Sequence, residues 1–197
     1  MEKYIGPILT ATVFFPLLAF LFTVPYMIYS YRKYGSMLIT RAVLMYAFIY
    51  YLICVYALAI LPFPDANTVV TQRTRVNLIP FSYVPEVIAK STAFDWSDPG
   101  SWLPAIYSSG LYEPLCNILM FLPLGVFLPI LYAEFDGIRQ IALCAFALSL
   151  AIGLTQMFGL GITDVNDLMT NTAGACLGLF LYRAVWKRKN AEQKTKL

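Results

Sequence analysis

Residues Asp164 to Gly178 read D-V-N-D-L-M-T-N-T-A-G-A-C-L-G, two carboxylates and an amide leading straight into an apolar stretch. At about 100° per residue, Asp164, Asp167, Asn171, Gly174 and Gly178 fall within a helical arc of about 80°. A polar stripe of this kind is costly against acyl chains, so it has to face other helices or a water-filled cavity. The fold therefore turns on whether the rest of the chain supplies such helices.

The composition says that it does. Of 197 residues, 59% are hydrophobic and 13% charged, where an ordinary soluble domain has about 25% charged. The apolar residues come in blocks of about 20, the length that crosses a hydrocarbon core of about 30 Å. Five blocks reach that length: 5–29, 42–61, 114–133, 141–160 and 165–186. The expected fold is all-α, a polytopic membrane bundle of five transmembrane helices with a long loop between the second and third. The first block lacks a basic n-region, with only Glu2 and Lys3 before it. It is too long for an h-region and has no small-residue cleavage site, so it reads as a retained span and not as a signal peptide. The expected organisation is two N-terminal spans over 1–62, a core over 63–186 and a basic tail over 187–197.

Charge orients the spans. Ten of the fourteen Lys and Arg residues lie in 30–41, in 134–140 and from Arg183 onward, all on one side of a five-span arrangement. That side is expected to be cytoplasmic, with the N-terminus out and the C-terminus in. Loop 62–113 is then extracytoplasmic. Its short apolar runs, 83–89 and 102–107, suit interfacial or re-entrant helices, and its aromatic content argues against a disordered tether.

Cys54, Cys116, Cys144 and Cys176 lie in different apolar blocks with no CxxC pair, and the chain has no His. A zinc site and a Cys–His nucleophile are therefore not expected, and the cysteines read as buried small hydrophobes.

The polar residues of the spans collect on the outer half. Arg75 and Asn77 lie in the outer loop, Asn117 one turn into the third block, and Gln156 near the end of the fourth. Asp164, Asp167 and Asn171 open the fifth. Asp164 and Asp167 are the candidate acid/base or cation-holding residues, since Asp and Asn oxygens hold Mg²⁺ or Ca²⁺ without His. The competing structural readings are a helix cap for Asp164 and, for Asp167, an ion pair with Arg75 or an interhelical hydrogen bond. The stripe Ala145–Ser149–Gly153–Gln156 of the fourth block is expected to pack against Asn171, Gly174 and Gly178. No cofactor is expected beyond a divalent cation at the two aspartates, and no nucleic-acid partner.

Three motifs, R-V-N-L-I-P-F at 75–81, N-I-L-M-F-L-P-L-G at 117–125 and Q-M-F-G-L-G-I-T-D-V-N-D-L-M-T-N-T-A-G at 156–174, resemble the VanZ-like family of bacterial membrane proteins. The resemblance covers about residues 73–183. It carries over to Arg75, Asn77, Pro80 and Phe81, to Asn117, Pro123 and Gly125, and to Gln156, Asp164, Asp167, Asn171 and Gly174. Gly153 stands where the family pattern has Glu, and Gly161 where many members have Arg. The resemblance implies a multi-pass protein of the bacterial cell membrane linked to low-level teicoplanin resistance. The implied partners are the bilayer and a lipid-linked cell-wall precursor or lipoglycopeptide. An enzyme acting on a lipid-linked wall intermediate is the alternative.

Overall fold

The computed structural model describes residues 10–35, 38–60, 76–91, 97–157 and 163–187. The chain divides into two compact units, residues 1–63 and 64–197.

The first unit holds α1 (Phe15–Tyr34), preceded by a wide helical turn over Thr10–Phe14, and α2 (Ile39–Ile60). Pro16 sits in the first turn of α1, directly after that wide turn. Gly35 ends the helix in the left-handed region, at φ 67°, a conformation that glycine adopts without strain. Helix α1 thus runs past the expected end at residue 29 and carries Arg32 and Lys33 in its last turn, where cations suit the helix dipole. Tyr46 of α2 donates from its hydroxyl to the carbonyl of Pro16 at 3.4 Å.

The second unit runs β1 (Val76–Asn77), α3 (Val84–Ser91), α4 (Pro99–Ser108), α5 (Tyr112–Leu131), α6 (Ile138–Thr155), β2 (Thr163–Asp164) and α7 (Val165–Tyr182). The short apolar runs of the 62–113 loop are thus helical, as α3 and α4. Asp98 caps α4 by accepting from the Gly100 N–H at 2.9 Å.

Among the described residues, four helices are long and apolar enough to cross a membrane: Thr12–Tyr34, Ile39–Ala59, Tyr112–Leu131 and Ile138–Thr155. Helix α7, the fifth expected span, is not among them. It has 18 residues, but Asn166, Asp167, Thr170, Asn171 and Thr172 lower the hydropathy of its first half. Large apolar side chains line the outsides of α5 and α6, with Leu119 66% and Leu143 68% exposed. Apolar surface of that extent suits lipid better than water. None of the four cysteines is fully buried: Cys116 is exposed and the other three are half-buried. The expectation of buried thiols fails because these helices keep apolar residues on their outer faces as well as their inner ones.

Helices α5 and α7 run parallel with their backbones nearly touching. A Cβ at Gly174 would overlap the Ile118 carbonyl, one at Gly178 the Leu122 carbonyl, and one at Gly125 the Ala175 carbonyl. Helix α6 runs antiparallel to α7, and Ile141, Ala145, Ile152, Ala175 and Leu179 are buried. The sequence pattern suggests that the glycine face of α7 meets α6. In the structure Gly174 and Gly178 meet α5, and Asn171 alone turns to α6, where its Nδ2 donates to Ser149 Oγ at 2.8 Å. Asn171 lies about 60° round the helix from Gly174, enough to face a different neighbour. Arg183, just past α7, donates through Nη2 to the Asp136 carbonyl and pairs through Nε with the Asp136 carboxylate at 3.5 Å. Both side chains are well exposed, so the pair contributes little to stability.

Gly178→Ala should therefore destabilise the second unit by about 1–3 kcal/mol through overpacking. Gly153→Ala, whose Cβ would meet the Thr163 methyl at 3.3 Å, should cost clearly less. Melting temperatures of the purified variants in detergent check the order, and equal losses would contradict this packing.

Candidate functional site

The site is built at the start of α7. Asp164 is its N-cap, in extended conformation (φ −124°, ψ 130°), and its Oδ1 accepts the Asn166 N–H at 2.8 Å. An N-cap bond of this type contributes about 1 kcal/mol. Asn77 reaches the same carboxylate because β1 pairs in parallel with β2, placing Val76 opposite Thr163 and Asn77 opposite Asp164. Asn77 Nδ2 donates to Asp164 Oδ2 at 2.9 Å and to Ser82 Oγ at 2.8 Å, while Asn77 Oδ1 accepts the Ile79 N–H at 3.1 Å.

Asn166 fastens the loop from the other side. Its Oδ1 accepts the Phe81 N–H at 2.5 Å. Its Nδ2 lies within bonding distance of Asp164 Oδ1 (2.7 Å), Ser82 Oγ (2.9 Å) and the Ile79 carbonyl (3.2 Å). Asn166 is 5% exposed. Phe81 adopts φ 57°, which a bulky residue rarely takes. The bond from Asn166 to its N–H helps hold that conformation in place.

One turn deeper, Asn117 Nδ2 of α5 donates to Asp167 Oδ1 at 2.6 Å. A further turn in, Asn171 is 4% exposed, and its Oδ1 is buried with no hydrogen-bond partner among the described residues. Such an orphaned acceptor is unusual in a folded interior. Thr170 returns its hydroxyl to the Asn166 carbonyl at 2.8 Å, a bond within the helix. Thr163 donates to the Gly153 carbonyl at 2.9 Å, closing the end of α6 against β2. Gly153 is therefore occupied on its open side by Thr163, at the position where the resemblance leads one to expect Glu.

The two aspartates thus differ in kind. Both oxygens of Asp164 are engaged by the cap and the loop, so it works as a fastener. Asp167 is held at one oxygen by a neutral amide. Among the described residues no group of three or more His, Cys, Asp or Glu side chains converges to hold a metal ion.

Of the other residues singled out from sequence, Pro80 and Phe81 are exposed in the turn before α3, and Pro123 is half-buried inside α5. Gln156 lies in a half-buried turn where α6 ends. Arg75 and Gly161 lie outside the described residues. Asn166 and Ser82 were not visible as site residues from sequence. Asn166 lies about 160° round α7 from Asp164, off the stripe. The signal that would have found it is its place two residues after an Asp cap.

A profile of the VanZ/LLP1 family matches residues 48–187. Protein VanZ of Enterococcus faecium is 32% identical over 91 residues, which cover 46% of this chain and 56% of that protein. The chain thus spans about half the length of this relative. No solved structure matches the chain.

Asn166→Ala removes the group that holds both Ile79 and Phe81, and should cost about 1–3 kcal/mol. Hydrogen exchange at the Phe81 amide should accelerate before the rest of α7 is affected. A Phe81 amide that stays protected in the variant would show that the loop is held by other means.

Proposed function

This chain belongs to the VanZ/LLP1 family, and from that premise we propose that it is a multi-pass protein of the bacterial cell membrane that protects the envelope against glycopeptides. Teicoplanin is the drug to which the resemblance points. In this reading α7 is the fifth span, the N-terminus is outside and the C-terminus inside, in keeping with the ten basic residues on one side. The head of α7 then faces outward as a polar pocket, at the membrane surface where lipid-linked wall precursors and lipoglycopeptides are met.

One observation carries the proposal. Asp167, bonded to Asn117 at 2.6 Å, stands one helical turn from the buried and unpartnered Asn171 Oδ1. In this reading the carboxylate and the amide oxygen, on successive turns of α7, together serve as an acceptor wall for a ligand rich in N–H and O–H donors. The same oxygens suit a divalent cation. The engagement of both Asp164 oxygens favours binding over the alternative of an enzyme that uses the two aspartates as an acid/base pair.

The test uses a susceptible host expressing the wild type, Asp167→Asn or Asn117→Ala at equal membrane levels. The wild type should raise the inhibitory concentration of teicoplanin several-fold, and both variants should fall back toward the empty-vector level. Full resistance in both variants would overturn the role given to this pocket.

A further inference from the structure

The turn that Asn77 and Asn166 clamp presents unusual side chains. Leu78, Ile79 and Phe81 are 73%, 67% and 53% exposed. The backbone of two of them is satisfied from within. The Ile79 N–H bonds to Asn77 Oδ1 and the Ile79 carbonyl accepts from Asn166 Nδ2. The Phe81 N–H bonds to Asn166 Oδ1 and its carbonyl accepts the Val84 N–H at 3.0 Å. Pro80, between them, has no N–H to satisfy. Irregular backbone facing water has no need of internal partners, whereas backbone near hydrocarbon does. Apolar side chains outside, with the peptide groups of Ile79 and Phe81 satisfied inside, suit a segment in lipid.

Position points the same way. The turn is bonded to the first turn of α7 through Asp164 and Asn166, and that part of α7 is bonded to α5 through Asn117 and Asp167. Helix α5 is apolar and long enough to cross a membrane, and near this end it exposes Leu115 and Leu119. The turn therefore sits at the level where a membrane helix meets the bilayer surface, continuous with a lipid-facing side. The following helix α3 has the Glu86–Lys90 ion pair (2.6 Å) on one side. It exposes Ile88 about 160° away, the division of an interfacial helix.

We propose that Leu78, Ile79 and Phe81 form a membrane wedge, inserted among the acyl chains of the leaflet next to the head of α7, with phospholipid as the partner. The asparagine clamp is what lets an irregular turn occupy that depth. The inference does not depend on the teicoplanin reading, and its test involves no drug.

The experiment replaces the four native cysteines by Ala and introduces Ile79→Cys, or Leu78→Cys in a second preparation. An environment-sensitive fluorophore is attached, and the full chain is placed in nanodiscs of phosphatidylcholine and phosphatidylglycerol. Both preparations are first required to keep the wild-type helical circular dichroism. Lipids brominated on their acyl chains should quench the probe strongly, and aqueous iodide should quench it several-fold less than it quenches free dye. Iodide quenching equal to that of free dye would overturn the proposal, because the turn would then lie in water. Protection from both quenchers would overturn it too, showing the turn covered by protein, such as a second copy of this chain.

Discussion

A helix that carries carboxylates and amides into a packed interior must find partners for them on other segments. That requirement organises the second unit. Four polar side chains at the head of α7 hold three neighbouring segments. Asp164 receives Asn77 from the loop, Asn166 takes the backbone of Ile79 and Phe81, Asp167 takes Asn117 of α5, and Asn171 reaches Ser149 of α6. Further along α7, Gly174 and Gly178 replace polar bonds with direct backbone approach to α5. One helix thus reads as polar fastener first and close-packing surface second. Its N-terminal half sets position and its C-terminal half supplies contact.

Much of this was legible in the sequence. Blocks of about 20 apolar residues correctly indicated an all-helical chain with membrane-length helices, because length and composition alone define such elements. The spacing of Asp164, Asp167 and Asn171 put them on one side of a helix. The contacts were harder. A parallel pairing of two residues has no periodicity to read, so the route by which Asn77 reaches Asp164 was not visible. Asn166 was missed because a capping-turn residue bonds backward to a loop, off the stripe on which helical neighbours are sought. Adjacency in sequence favours α6 as the partner of the α7 glycines, but a short connection does not fix which helix face meets which neighbour. The parallel neighbour α5 approaches more closely instead. The same polar residues that make α7 interesting also keep it below the hydropathy of the other four membrane-length helices.

The geometry separates holding from binding more sharply than residue types do. Asp164 and Asp167 look equivalent in the string D-V-N-D, yet one is saturated by structural bonds and the other is held at a single oxygen by an amide. Gly153 and Thr163 show a second such division. The Thr163 hydroxyl and methyl occupy the space beside Gly153, so the end of α6 is closed by a small pair at the place where the family pattern has an acid. The acceptors of the proposed pocket are thereby reduced to Asp167, Asn171 and whatever their neighbours add. That composition suits recognition of donors better than proton transfer between two acids.

The most direct measurement is the melting temperature of the purified protein in detergent with increasing teicoplanin. A ligand that binds only the folded state stabilises it by about 2.7 kcal/mol at a hundred times its Kd. The wild type should show a rise that saturates. Asp167→Asn, which keeps the shape of the side chain, should melt close to the wild type without drug and gain nothing with it. The same rise in both proteins, or none in either, would contradict a drug-binding role for the acceptor wall at the head of α7.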